Sequence, residues 1–359
     1  MQRLNLVAIS CVAILGSAVS CSTAIAQTMK FVARPPYELL RANMGDDRWE
    51  IYASGEIDAD AGKRLEALME QKIIIDGSVL YFDSPGANVT GGMELGRTIR
   101  KHHLTTDIAR KSESHDESKP ASCVSGCALA FLGGEYRSVM QGSVYGVDRF
   151  FSNKRVPNES GRARVLSATV AAYIKEMGVA TELYTMAVRA GEEESITFSE
   201  PDLLRLGVIN DGNQKTVWTL ESLDSGLYLK GQRETVNGIN KFLIGCPSAK
   251  RPFLSATFDA GPHADEIMRM SADSLVIDGQ FIPIESYRTR KESRNGWVIA
   301  AYTLDSTLLA VIQKAKTVGL ALQTVRDPRF DARFLNLPMS EGTAELPQFL
   351  SVCTRLSAR

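Results

Sequence analysis

The stretch YFDSPGANVTGGMELGR, residues 81–97, decides the fold. It continues an apolar run, Ser78–Phe82, of the kind seen in a parallel strand buried on both faces. Ser84-Pro85-Gly86-Ala87-Asn88 then reads as a turn, because Pro and Gly interrupt either periodicity. Beyond it, Val89, Met93, Gly96 and Ile99 share one helical face. The same alternation runs outward from here. Upstream, Arg48–Ile57 alternates as a strand and Ala59–Gln71 is an amphipathic helix. Downstream, Thr105–Ala109 reads as a strand, Lys111–Pro120 as a polar surface loop, Ser125–Leu132 as a buried helix of small residues and Ser143–Phe150 as a strand. Gly161–Met177 and Glu182–Ala190 are helical, and Ser199-x-x-Asp202 opens a capped helix that Gly207 closes. Strands alternating with helices predict an α/β layer built on a parallel sheet.

After Asp211-Gly212-Asn213 the texture changes. Short β-like runs dominate, at Lys215–Leu220, Phe242–Gly245, Phe253–Phe258, Ser274–Ile277 and Trp297–Tyr302. A helix follows at Ser306–Lys316, then strand-like Gly319–Val325 and a helical end at Gly342–Cys353. The expected organisation is therefore a lead-in over 27–47, an α/β domain over 48–213 and a smaller, β-rich α+β domain over 214–359. Trp49, Trp218 and Trp297 are expected in the cores.

The chain has 359 residues, 44% hydrophobic and 23% charged, with a formal net charge of −1, which suits two globular domains. No Lys/Arg block stands out, so a nucleic-acid or anionic-membrane partner is not expected. Residues 1–26 read as a signal peptide: Arg3, then apolar Leu6–Val19, then Ala24-Ile25-Ala26, with cleavage before Gln27. That places the protein outside the cytoplasm, in a periplasm, with lipoprotein processing at Cys21 as the alternative. No other stretch reaches the ~20 apolar residues of a membrane span. The mature chain keeps Cys123, Cys127, Cys246 and Cys353. Four cysteines allow three connectivities; the simplest joins Cys123 to Cys127 and Cys246 to Cys353. No metal or cofactor is expected, since Cys123-x-x-x-Cys127 has no second ligand pair at zinc spacing and the four histidines are scattered.

Four segments carry the chemistry, in order: YFDSPGAN (81–88), CVSGCALAFLGG (123–134), SVYGVDRF (143–150) and FSEPDLLRLGVIND (198–211). As an ordered set over residues 50–211 they resemble the Clp-type serine peptidases of the ClpP/crotonase superfamily, and within it a group of exported Clp-like proteins. The resemblance implies an α/β ClpP/crotonase-like fold. It puts Ser125 at the nucleophile position and assigns the oxyanion donors to the backbone N–H groups of Ala87 and Gly126, with Gly86 in the adjoining turn. A nucleophile of this type sits at a sharp strand-to-helix junction among small residues, here Val124, Gly126 and Ala128, with its hydroxyl exposed. The family histidine, however, falls on Asp148, and the family aspartate falls on Ser195, with Glu194 one position away. An aspartate has an ordinary pKa near 3.9, against about 6.5 for histidine, and an ionised carboxylate only accepts hydrogen bonds. No other histidine is expected to substitute: His102 and His103 end the helix after the turn, His115 lies in the polar loop just before the nucleophile segment, and His263 belongs to the second domain.

The expected function is thus an exported peptidase relative with impaired catalysis, binding peptide or protein in the old cleft or acting as an envelope scaffold. The alternative is an active serine hydrolase using Ser125 with a non-histidine base. A crotonase-type acyl-CoA enzyme is a third class that export argues against. Ring or trimer self-association is implied by resemblance alone.

Overall fold

The computed structural model describes residues 27–36, 47–111, 118–148, 159–189, 195–223, 226–247, 251–324, 331–341 and 345–357. Through the first half the elements run β1 (Lys30–Arg34), β2 (Glu50–Ser54), α1 (Ala61–Lys72), β3 (Val79–Asp83), α2 (Val89–Lys101), β4 (Thr105–Ile108), β5 (Arg110–Lys111), β6 (Ser118–Lys119), β7 (Ser122–Val124) and α3 (Gly126–Phe131). They continue with β8 (Arg137–Val139), β9 (Val144–Val147), α4 (Glu159–Glu176), α5 (Glu182–Arg189), β10 (Ile196–Thr197) and α6 (Glu200–Leu206). The main sheet has the order β1-β2-β3-β4-β8. β2, β3, β4 and β8 are parallel, and β1 adds antiparallel to the edge of β2. A second sheet, β10-β9-β7, carries the site. β7 and β9 are parallel, β10 runs antiparallel to β9, and a Ser84–Cys123 bridge ties this sheet to the first.

Sequence expectation and structure agree on the alternation and differ in three places. β3 is not buried on both faces: Leu80 and Phe82 are buried with Leu65, Met69, Met93 and Ile99, while Val79, Tyr81 and Asp83 are only half-buried. On that second face Tyr81 stacks on Tyr52 at 5.3 Å, and Arg34 lies over the Tyr52 ring at 5.2 Å, so amphipathic side chains suit it better than aliphatic ones. The lead-in contains a strand, β1, whose alternating KFVAR follows the edge of the sheet. The ends of the polar loop pair as β5 and β6.

Helix α2 starts where the turn ends. Asn88 is its N-cap, and its side chain accepts the Gly91 N–H at 2.8 Å. α2 then crosses α3 at glycines. A Cβ on Gly92 would lie 2.2 Å from the Gly126 carbonyl oxygen, and one on Gly133 would lie 2.1 Å from that of Gly96. Close backbone approach at both points fixes α3, and with it the residue just before it. As expected, the Ser199 hydroxyl caps α6, accepting the Asp202 N–H, and Gly207 ends it at φ 71°.

In the second half, β11 (Val217–Leu223), β12 (Gly226–Thr235), β13 (Gly238–Pro247) and β14 (Phe253–Asp259) precede α7 (Ala264–Met268), β15 (Ala272–Ile277) and β16 (Gln280–Pro283). Then come β17 (Arg288–Arg294), β18 (Trp297–Thr303), α8 (Ser306–Lys314), β19 (Thr317–Gln323), β20 (Asp331–Pro338) and α9 (Glu345–Ser357). All pairings are antiparallel, in a sheet β11-β12-β13-β14-β18-β17 and a sheet β16-β15-β19-β20. Sequence periodicity misses β12, β16, β17 and β20. β17 reads RTRKESR, the charged sequence of an edge strand that resists further pairing. Buried apolar residues form two clusters, one from Met29 to Ile209 and one from Trp218 to Cys353. Of the three tryptophans only Trp218 is in a core; Trp49 and Trp297 are half-buried, the latter under the Lys241 ammonium at 5.1 Å. Among the described residues no helix is long and apolar enough to cross a membrane.

Candidate functional site

Ser125 lies between the end of β7 and the start of α3, with φ 56° and ψ −126°. A side chain with a Cβ rarely adopts such a backbone, which costs about 1–3 kcal/mol and persists only where the surroundings over-determine it. Those surroundings are visible. The Ser125 N–H donates to the Gly146 carbonyl at 3.2 Å. From the other side the 84–88 turn presses in: a Cβ on Gly86 would lie 2.2 Å from the Val124 carbonyl oxygen and 2.7 Å from Ser125 Cβ. Cys123 and Cys127, both fully buried, bracket the serine with Cα atoms 5.2 Å apart, at disulfide distance. Ser125 itself is only 9% exposed, more enclosed than the open hydroxyl expected from the sequence.

The parallel register of β7 and β9 pairs Val124 with Gly146, which carries Asp148 to the same end of the sheet as Ser125. The Asp148 carboxylate lies near enough to the Ser125 hydroxyl to feel it electrostatically. Burial raises its pKa; the Ser125 hydroxyl and its own backbone N–H oppose the rise without cancelling it. Asp148 Oδ1 is buried with no hydrogen-bond partner among the described residues. The antiparallel register of β10 and β9 pairs Ile196 with Val147, and one further step sets Ser195 opposite Asp148. Ser195 is exposed and is not an ionisable orienter. Glu194, Arg149 and His115 lie outside the described residues.

The three described histidines are engaged elsewhere. His102 contacts Glu66 at 3.0 Å and Asp76 at 3.3 Å, and His103 contacts Glu135 at 2.8 Å. Both follow the C-terminus of α2, whose first turn is at the site, so about 20 Å of helix separates them from Ser125. His263 pairs with Glu266 in the second half.

The turn also supplies donors. Ile57 N–H to the Gly86 carbonyl (2.7 Å), Asn88 N–H to the Ile57 carbonyl (3.1 Å) and Ser84 N–H to the Ser122 carbonyl (2.7 Å) fix it against both sheets. Gly86 has φ 93° and Ala87 φ 107°. Glycine adopts this region freely, whereas alanine is strained in it. The N–H groups of Ala87 and Gly126 find no acceptor among the described residues. Gly86 packs against the Gly126 nitrogen, so the two donors flank Ser125 from the turn and from the helix start. Such a pair suits a developing oxyanion or a bound carbonyl.

Sequence reading did not single out Arg137 or Arg100. Arg137, 6% exposed, donates to the carbonyls of Gly134 (2.6 Å), Val208 (2.8 Å) and Gly207 (2.9 Å). Arg100 donates to Gly133 (2.8 Å), Gly134 (3.0 Å) and Leu132 (3.1 Å). Burial, then the neighbouring Arg100, pulls the Arg137 pKa down to about 10. Both cations collect carbonyls just beyond the C-terminus of α3, opposite the end that abuts Ser125, and so favour its helix orientation. Among the described residues no group of three or more His, Cys, Asp or Glu side chains is placed to hold a metal.

No family model matches the chain, and no curated protein does. Among solved structures, a ClpP1 point mutant from Listeria monocytogenes aligns with 15% identity and a TM-score of 0.32, covering 45% of this chain and 86% of that one. A point mutant of the membrane-bound stomatin-specific protease 1510-N aligns with 16% identity and a TM-score of 0.32, covering 45% of this chain and 75% of that one. So distant a likeness transfers no residue role to this chain; the roles below come from the geometry.

Proposed function

We propose that this protein is a serine-hydrolase-like binding protein, in which Ser125 occupies the nucleophile position, turnover is severely weakened, and the cleft holds a peptide or protein carbonyl. One observation carries the reading: the register of β7 and β9 brings an aspartate, Asp148, to the Ser125 end of the sheet, where a base would stand. A carboxylate can accept the hydroxyl hydrogen bond. Its ordinary pKa, about 2–3 units below that of imidazole, makes it the poorer proton acceptor, and it cannot be oriented through a second nitrogen. The Ala87 and Gly126 donors do not depend on the base, so carbonyl binding outlasts the loss of turnover. We read 48–213 as the unit bearing the site and 214–359 as an appended β-rich unit, in a chain exported behind the leader 1–26. Cysteine pairs at disulfide distance, with Cys246 and Cys353 Cα atoms 5.5 Å apart, favour an oxidising compartment. Self-association as an envelope scaffold belongs to the same proposal.

A fluorophosphonate serine probe tests it. Wild type is expected not to label, Asp148→His to gain labelling, and Ser125→Ala in that background to lose it. Labelling of wild type that disappears in Ser125→Ala overturns the binding reading.

A second reading, slow hydrolysis with Asp148 as base, is favoured by the backbone strain held at Ser125. It expects ester hydrolysis to rise with pH through the raised pKa of Asp148 and then level off, and to vanish in Ser125→Ala. Weak turnover that survives Ser125→Ala would come from the donors alone, which in serine proteases leave about 10³–10⁴ over water.

A further inference from the structure

The strained serine sits in the middle of a five-residue loop that its own neighbours can close covalently. Cys123 ends in the β7 ladder, Cys127 lies in the first turn of α3, and Ser125 is midway between them. Four steps of extended chain would separate the two Cα atoms by about 13–14 Å. They are 5.2 Å apart because the chain folds back at Ser125. A disulfide needs Cα atoms within about 7 Å, so the bond can form only because the chain turns here, and once formed it holds the turn closed.

The other restraints on Ser125 are non-covalent: packing against Gly86 on one side and the N–H hydrogen bond to the Gly146 carbonyl on the other. The cysteine pair is the covalent one, and it is enclosed: both residues have 0% exposure. Reduced sulfurs cannot stay at bonding distance; they separate toward the roughly 3.5–4 Å of other non-bonded heavy atoms. In a close-packed interior that movement passes to the backbone between them.

We propose that the Cys123–Cys127 disulfide is a positioning element of the serine site: it holds Ser125 in the conformation that faces Asp148 and the Ala87 and Gly126 donors, and so confines a formed site to an oxidising compartment. The proposal rests on reading Ser125 as the nucleophile position. Two thiols form the bond by exchange with a disulfide donor, either a protein dithiol/disulfide partner or a small-molecule disulfide. The first cysteine breaks the donor's S–S bond and forms a mixed disulfide, which the second cysteine breaks; the donor leaves with the two electrons and two protons, as a dithiol if it is a protein partner or as two thiols if it is a small molecule. Because both sulfurs are buried, this exchange precedes final packing of α3. A chain still in a reducing compartment is then folded around an unformed site.

The test uses the full chain with Cys246 and Cys353 intact. Cys123→Ala/Cys127→Ala is compared with the parent by crystal structure, and by fluorophosphonate labelling with Asp148→His present in both. The expected result is a folded protein in which Ser125 relaxes to negative φ and labelling falls by about a hundredfold, as a misplacement near 1 Å produces. Retention of positive φ at Ser125, with labelling unchanged, overturns the proposal. If the Asp148→His parent itself does not label, the nucleophile reading fails, and the Ser125 backbone alone still decides whether the disulfide positions it. Should the double alanine variant not fold, Cys123→Val/Cys127→Ala, which refills part of the lost volume, is read the same way.

Discussion

At Asp148 a carboxylate is held half-buried at the end of a strand. Burial raises its pKa and leaves Oδ1 without a hydrogen-bond partner among the described residues. The consequence for stability has a definite sign. A raised carboxylate pKa means that the folded state binds the proton more tightly than the unfolded chain does. The stabilising contribution is therefore present below the unfolded value, near 3.9, and is lost as pH rises through the folded value. Replacing the carboxylate by an amide of the same shape removes the charge and keeps an acceptor for the Ser125 hydroxyl. Asp148→Asn is expected to be more stable than wild type at neutral pH, because the amide carries no charge for burial to disfavour. The gap should shrink as pH falls toward 4. Urea denaturation across that range measures it, and equal stability at neutral pH would mean that the carboxylate is hydrated.

Among elements, the α2–α3 crossing decides whether the site exists. Gly92 lets the two backbones meet, since a Cβ there would fall 2.2 Å from the Gly126 carbonyl oxygen. Backbone cannot swing aside as a side chain can. Gly92→Ala is thus expected to cost about 1–3 kcal/mol by overpacking and to push α3 away from the 84–88 turn. Denaturant titration reads the first effect, and loss of labelling in the Asp148→His background reads the second. This crossing also marks how far the sequence could be read. The turn, the helix after it and the small-residue helix at 126–131 all left local signatures, because Pro, Gly and apolar spacing act over a few residues, whereas setting Ser125 with Asp148 came from the resemblance alone. The carbonyl cradle of Arg137 left none: its partners at Gly207 and Val208 are some 70 positions away and present only backbone. The half-buried outer face of β3 was misread for a related reason, since what covers a sheet is set by distant chain. In the second half β12 and β17 went unseen because polar and charged residues on exposed or edge strands weaken the period-two pattern.

Over the whole molecule, the buried apolar residues form two clusters, and the chain passes from one to the other around residue 214. There the Gln214 side chain donates to the Glu135 carbonyl at 2.7 Å, and its own N–H reaches the Glu234 carbonyl at 2.8 Å. This junction is polar and directed at backbone groups. The covalent tie of the second cluster is internal to it: Cys246, in β13, faces Cys353, in α9, across 107 positions of sequence. Closing a loop that long restricts the unfolded chain by about 4–5 kcal/mol, whereas the five-residue loop around Ser125 contributes only about 2 kcal/mol, close to the strain it opposes. The two cysteine pairs thus have different work, one stabilising a β-rich unit and the other shaping a site. Cys246→Ala/Cys353→Ala is expected to lower the melting of the second half by that larger amount and to leave the first unchanged. Calorimetry should then resolve two transitions of which one moves, while fluorophosphonate labelling in the Asp148→His background persists above the lower transition. A single transition that shifts as a whole would instead mean that the junction couples the clusters into one cooperative unit, and that the β-rich half contributes directly to holding the serine site in place.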